Sequence, residues 1–152
     1  MSDTTRNSFA PQPKKSRVFH SNQGYRVVGQ RKIYFKSGWE VNYAIYLEYL
    51  KKHSQIVDWF YEPATFWFNN IKRGVRSYKP DFKILRPNGT HYWVEVKGYM
   101  DAKSLTKIKR FRKYYPEEEL FVREKSWFIE HQRALPRLCE SWENEYTEGM
   151  RE

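Results

Sequence analysis

Cysteine is almost absent from this 152-residue chain: Cys139 stands alone, so no internal disulfide can form and no thiolate cluster can hold a metal. A reducing compartment fits that usage. Histidine is scarce and scattered, with His20, His53, His91 and His131 showing no ligand-like pairing, which sets zinc chemistry aside. No apolar run approaches the roughly 18 residues of a membrane span, and the amino-terminal stretch, polar and broken by Pro11 and Pro13, has no signal-peptide core. The expectation is a soluble, cytoplasmic protein without a membrane partner. Internal repeats and coiled-coil heptads are also missing.

Negative charge is in short supply, since 28 Lys and Arg face 18 Asp and Glu for a net +10. The imbalance is uneven. Residues 1–36 carry eight basic residues against one Asp, residues 37–125 seventeen against eleven, and residues 126–152 three against six. A basic arm and body with an acidic tail suit a polyanionic partner, with the tail turned away from it; an ordinary solvated surface is the plainer reading of the same charge. Three basic sets are candidates for phosphate contact. The first is Lys14, Lys15, Arg17, Arg26, Arg31, Lys32 and Lys36, the second Lys72, Arg73 and Arg76, and the third Lys103, Lys107, Arg110 and Lys113.

Residues 1–24 read as a flexible basic arm, 25–125 as the core domain, and 126–152 as a helical, acidic extension. The stretch from Tyr25 to Phe35 reads as a strand or an extended segment. Ser37 opens a helix running to about His53, with Glu40 as its capping-box partner and Tyr43, Ala44, Leu47 and Leu50 as the inward stripe. Glu40 lies on that same stripe. Segments 56–61 and 64–69 read as strands, as do Ser77 to Leu85 and Thr90 to Lys97, the last two joined by a turn into a hairpin. Asp101 caps a second helix to Tyr115 whose apolar stripe is Leu105, Ile108, Phe111 and Tyr115. Leu120 to Arg123 is a further strand, and Pro136 divides the remaining helical text in two. The order of elements indicates an α/β domain around a central sheet.

Within the hairpin lie Pro80-Asp81 and Glu95-Val96-Lys97, with thirteen residues between Asp81 and Glu95. Alternation along a strand puts Glu95 and Lys97 on one face with His91 and Trp93, and Tyr92, Val94 and Val96 on the other. Turn chemistry decides whether Asp81 joins them. A two-residue Asn88-Gly89 loop would set Phe82 against Glu95, whereas a three-residue Pro87-Asn88-Gly89 loop sets Asp81 there; Pro87 in the first turn position and Gly89 as the left-handed residue favour the second. Two facing carboxylates repel unless a cation lies between them, and oxygen ligands suit magnesium. A lysine beside such an ion can orient an attacking water, which is the chemistry of phosphodiester hydrolysis. A surface hairpin with an ordinary Asp or Glu to Lys ion pair is the alternative for this short pattern, as plain capping is for Glu40. Trp39 and Trp93 are candidates for stacking on unpaired bases, against the simpler reading of core aromatics.

Through Pro80-Asp81, Glu95-Val96-Lys97 and a preceding helix that begins Ser37-Gly38-Trp39-Glu40, the chain resembles the PD-(D/E)xK nuclease superfamily. Tyr61-Glu62, Tyr78-Lys79-Pro80-Asp81-Phe82 and Pro87-Asn88-Gly89 extend the likeness to phage-type endonuclease I, the four-way-junction resolvase, over residues 33–124. The resemblance implies a restriction-endonuclease-like fold, a central mixed β-sheet flanked by helices, with catalytic residues at Glu40, Asp81, Glu95 and Lys97. It also implies Mg²⁺ or Mn²⁺ held by Asp81, Glu95, the Val96 carbonyl and, for a second ion, Glu40. The activity expected from it is metal-dependent cleavage of branched DNA, with a homodimer serving the two strands of a symmetric substrate. The spacing from Asp81 to Glu95 is longer than in the best-known resolvase, and residues past 125 show no match. A sequence-specific or nicking endonuclease and a non-catalytic nucleic-acid-binding module are the competing readings.

Overall fold

The computed structural model describes residues 22–143; Lys14, Lys15 and Arg17 of the basic arm and the end of the acidic tail lie outside them. The first elements are an antiparallel hairpin, β1 (Gly24–Val28) and β2 (Arg31–Phe35), where the sequence suggested one extended segment. Gly29, at φ +63, makes the turn. A side chain there would also collide with the Glu48 carboxyl, whose nearest oxygen lies 2.6 Å from where a Cβ would sit, so both backbone and space demand glycine.

Helix α1 (Gly38–Lys52) begins where expected, with the Ser37 hydroxyl accepting the Glu40 N–H at 3.2 Å. Val41, Tyr43, Ala44, Ile45 and Leu47 are buried, and Leu50 packs half-buried at the margin. Next come β3 (Asp58–Tyr61), β4 (Phe66–Trp67), β5 (Ser77–Tyr78), β6 (Phe82–Leu85) and β7 (His91–Lys97). The single strand expected from Ser77 to Leu85 is two strands in different sheets, β5 pairing with β4 and β6 with both β3 and β7. The break falls at Pro80-Asp81 for a physical reason: proline has no N–H to give, so a centrally placed strand can start only after it. Pro80 is itself fully buried.

Helix α2 (Ala102–Tyr114) crosses over to β8 (Leu120–Glu124), which lies parallel to β7. The result is a mixed four-stranded sheet, β3-β6-β7-β8, flanked by helices. One face, with Phe82, Ile84, Val94 and Val96, packs on α1; the other, with Trp93, packs with Phe68, Tyr78, Ile108, Phe111 and Leu120 under α2. Described residues beyond 125 join the first core. Helix α3 (Lys125–His131) contributes Phe128, and α4 (Leu135–Leu138) and its cap contribute Leu135 and Cys139. Pro136 sits in the first turn of α4, so it starts that helix; the chain breaks before it, after His131.

On α2 the stripe is displaced from the expected one. Ser104, Ile108 and Phe111 are buried while Leu105 is 56 % exposed. Phe111 touches the rings of Phe66, Tyr78 and Tyr115 at 4.9, 5.4 and 5.8 Å. Truncating it to alanine should cost about 3–5 kcal/mol in urea unfolding, as for other buried Phe side chains. Leu105→Ala should change stability by less than about 0.5 kcal/mol. Comparable losses at the two positions would contradict this packing. Among the described residues, no helix is long and apolar enough to cross a membrane.

Candidate functional site

The β6-β7 turn determines which groups meet. Register pairs Phe82 with Val94 and Leu85 with His91, so the next step of the ladder sets Asp81 against Glu95. The loop is the three-residue Pro87-Asn88-Gly89, closed by Arg86 N–H to Thr90 carbonyl at 2.8 Å, with Gly89 at φ +85. The Asn88 side chain accepts the Thr90 N–H at 2.9 Å and steadies the turn. Glu95 therefore shares the α2 side of the sheet with Trp93 and Asp81, while Val94 and Val96 pack against α1.

Three carboxylates from three elements are buried at this end of the sheet, Glu40, Asp81 and Glu95 each being only 7 % exposed. Each commits one oxygen. Asp81 Oδ2 accepts the Val96 N–H at 2.7 Å, and Glu95 Oε2 accepts the Tyr78 hydroxyl at 2.6 Å. Glu40 Oε2 accepts the Tyr61 hydroxyl and, at 3.3 Å, the Lys36 N–H. Among the described residues no further donor makes a hydrogen bond within 3.5 Å to Asp81 Oδ1, Glu95 Oε1 or Glu40 Oε1, although the Asp81 N–H also favours the ionised form of Glu95. No side-chain nitrogen or oxygen shut off from solvent lacks a partner there, so these three oxygens open toward solvent. The remaining acid, Glu62, binds Lys36 Nζ at 2.7 Å, and its N–H donates to the Asp81 carbonyl at 2.7 Å.

Electrostatics follow from that crowding. Burial holds Asp81 well above the usual 3.8, and the charges of Glu95 and Glu40 push further in the same direction. Burial also raises Glu95, opposed by the Tyr78 hydroxyl and the Lys97 charge. It raises Glu40, opposed by the Tyr61 hydroxyl and the Lys36 N–H. Burial and the adjacent carboxylates push both phenols far above 10, which keeps them as donors. Such a set gains from any cation brought near it.

Among the described residues, no three His, Cys, Asp or Glu side chains stand close enough to grip an ion as they are. The donor chemistry nevertheless suits a hard divalent cation. Asp81, immediately before β6, lies opposite Glu95 of β7, and Glu40 approaches from the first turn of α1, all three being oxygen donors of the kind magnesium takes. Lys97 ends β7 on the same face as Glu95, half-buried, and among the described residues it makes no ion pair within 4.0 Å. The four predicted side chains thus gather at one end of the sheet. Val96 enters through its N–H, which anchors Asp81.

The predicted basic residues divide. Arg31 is a structural residue, bound to Asp58 at 2.5 Å and to the Trp59 carbonyl, with its guanidinium over the Trp59 and Phe60 rings. Arg26 pairs with Glu143. Arg76 folds back on the Lys72 carbonyl at 2.7 Å, closing the loop that leaves Lys72 and Arg73 exposed. Arg110 donates to the Val75 carbonyl and so brings that loop beside α2, where Lys103 and Lys113 are exposed and Lys107 is half-buried. Lys32 is exposed, 5.0 Å from the Tyr25 ring centroid. Trp93 is unavailable for stacking, since it is buried and its indole N–H donates to Glu118 at 2.8 Å. Trp39 packs edge-on against Phe128 and lies over Gly98.

Sequence reasoning named Tyr61-Glu62 and Tyr78 within the motifs of the resemblance but gave them no role; the structure places Tyr61 and Tyr78 as donors to Glu40 and Glu95, and Glu62 as the partner of Lys36. Two hollows lie elsewhere, one of about 320 Å³ between β1, α1 and Leu138 to Ser141 and one of about 390 Å³ beside Arg31 and Phe60. Neither holds the carboxylates. Compared with known proteins, the chain matches no family model, no curated protein and no solved structure.

Proposed function

We propose that this chain is a metal-dependent DNA endonuclease that hydrolyses phosphodiester bonds, with a preference for branched DNA. The reading is carried by one observation: three buried carboxylates from separate elements each keep one oxygen open to solvent beside a lysine that has no carboxylate partner within 4.0 Å among the described residues. Burying like charges together is costly for a fold and is hard to explain without a cation to offset it. The mixed sheet between helices is compatible with the restriction-endonuclease-like arrangement that accompanies this reading.

When bound, a divalent ion would polarise the phosphate and acidify a water. The chain's own residues do the rest. Asp81 and Glu95 offer oxygens from adjacent strands, and the Val96 N–H and the Tyr78 hydroxyl fix which oxygen of each stays free. Lys97 would orient the attacking water and offset charge on the phosphate. Glu40, braced by Tyr61 and the Lys36 N–H, would set the far side of the pocket. The basic stretch from α2 to the loop at 72–76 would hold the DNA backbone without reading sequence, so binding should weaken steeply with salt.

Cleavage of a four-way junction, flap, mismatch, single strand and linear duplex, with Mg²⁺ and with EDTA, tests the proposal. Cutting of the branched substrates only with Mg²⁺ is expected. Equal cutting of linear duplex would favour a sequence-specific or nicking enzyme. Binding with no cleavage of any substrate would leave a non-catalytic module. A homodimer belongs to the same reading, and sedimentation of the free chain reports it.

A further inference from the structure

We propose that Trp67 recognises an unpaired nucleobase, its exposed indole serving as a stacking platform on the β4-β5 ribbon, and that this contact gives the preference for branched DNA. The inference rests on the DNA-binding part of the nuclease reading and deepens it by naming the feature of the substrate that is recognised. Of the six tryptophans, Trp59 and Trp93 are buried and Trp39, Trp127 and Trp142 pack partly buried on the first core, whereas Trp67 is 59 % exposed. Among the described residues its ring makes no ring–ring or cation–ring contact. The ring is nevertheless presented from a firm base. Phe66 meets the rings of Trp93, Phe111 and Tyr115 at 5.1, 4.9 and 4.9 Å, and Phe68 is buried, with its N–H donating to the Arg76 carbonyl at 2.8 Å. The Trp67 carbonyl accepts the Tyr115 hydroxyl at 2.7 Å. With both neighbours anchored in the second core, alternation turns Trp67 outward, and a backbone already held costs little to order when a ligand arrives.

Two links along the ribbon point to the occupant. Across it, Phe66 pairs with Tyr78 and Trp67 with Ser77, and the Tyr78 hydroxyl reaches Glu95 Oε2 at 2.6 Å, so the platform is joined to the acidic cluster through one strand pair. Along it, the loop from β4 to β5 carries exposed Lys72 and Arg73, shaped by Gly74 at φ +75 and by Arg76 on the Lys72 carbonyl at 2.7 Å, and exposed Lys79 follows β5. An aromatic face on a ribbon that also carries cations suits a nucleotide, the ring taking the base and the cations its flanking phosphates. Stacking needs the face of the base, which a duplex hides between neighbouring pairs. A flap or an opened branch exposes it.

Anisotropy titrations of the full chain in EDTA test this with a labelled flap, the same flap carrying abasic sugars in place of the unpaired nucleotides next to the branch, and a linear duplex. Trp67→Ala should weaken flap binding about tenfold or more and leave the linear duplex unchanged. On the abasic flap, wild type and Trp67→Ala should bind alike. Trp67→Phe should recover most of the loss, and Trp67→Leu, which keeps apolar bulk without a stacking ring, should behave as the alanine variant does and serves in its place if that variant fails to fold. Because the ring is mostly in solvent, melting temperatures should match wild type. Wild-type affinity of Trp67→Ala for the flap overturns the inference, as does an equal loss on linear duplex or a loss that persists on the abasic flap. Altered sedimentation of Trp67→Ala with flap affinity intact would assign the ring to a second copy and overturn it too. Cleavage in Mg²⁺ is read separately: a wild type that binds the flap through Trp67 and never cuts it ends the nuclease reading alone, and cutting with no dependence of binding on Trp67 ends this inference alone.

Discussion

Asp81→Asn should lose about a thousandfold or more in cleavage rate, since a divalent ion supplies several kcal/mol and about 1.4 kcal/mol is a factor of ten. The same substitution should make the metal-free protein harder to unfold. The asparagine amide oxygen can still accept the Val96 N–H, so the one hydrogen bond of this side chain survives. What disappears is a buried negative charge facing Glu95 and near Glu40. Removing such a frustrated charge commonly yields about 0.5–2 kcal/mol of stability. Affinity for DNA should be largely unaffected, because the basic surface is untouched. Lys97→Ala should likewise lose cleavage and keep binding. The paired measurements are single-turnover cleavage in Mg²⁺ and urea unfolding in EDTA. If Asp81→Asn unfolds more easily and still cleaves, the residue is structural and the site assignment fails.

Without metal, the protein should grow more stable as the pH falls through the raised values of Glu40, Asp81 and Glu95 toward the ordinary carboxylate range, against the usual acid trend. Glu40, Asp81 and Glu95 are all raised in the folded state, above 4.5 for the glutamates and 3.8 for the aspartate. Over that interval the folded chain therefore holds more protons than the unfolded one. Stability from these three groups is complete below the ordinary values and is lost as the pH rises through the raised ones. Asp58 and Asp101 are lowered, Asp58 by the Trp59 N–H and its basic partners against the effect of burial and Asp101 by the Ser104 N–H. Their contributions persist until the pH drops below about 3.8, so they leave the window clear.

Magnesium should reverse the slope by favouring the ionised carboxylates. At a hundred times its dissociation constant, a ligand bound only by the folded state adds about 2.7 kcal/mol. Melting temperatures at several pH values, with EDTA and with Mg²⁺, decide the matter. Melting curves that fall with acid in EDTA and ignore Mg²⁺ would mean that these carboxylates are satisfied by the protein alone.

Local chemistry made several features readable beforehand. The α1 start follows from a serine hydroxyl placed to take the Glu40 N–H, and the α2 start from Asp101 accepting the Ser104 N–H at 2.7 Å. The facing of Asp81 and Glu95 follows from turn preferences at Pro87, Asn88 and Gly89, because loop length fixes the ladder and the ladder fixes the face. Other features were hidden. Nothing local distinguishes Leu105 from Ser104 as the buried residue, because the choice depends on how α2 rolls against Trp93 and Phe68. Arg31 carries the same residue code as a phosphate-binding arginine, and only the proximity of Asp58, distant in sequence, makes it structural.

By itself the sequence determined the chemical inventory: acids and a lysine at hairpin spacing, a capped helix opening on a glutamate, and a surplus of positive charge. These depend on neighbours within a few residues, where backbone geometry leaves little choice. The tertiary structure alone decided which oxygens are held and which stay open, through Tyr61, Tyr78 and the Val96 N–H, and which cations face the acids. The reason is range. Hydrogen bonds and ion pairs act over a few ångströms between groups that the chain separates by many residues, and only the folded sheet brings them within that reach.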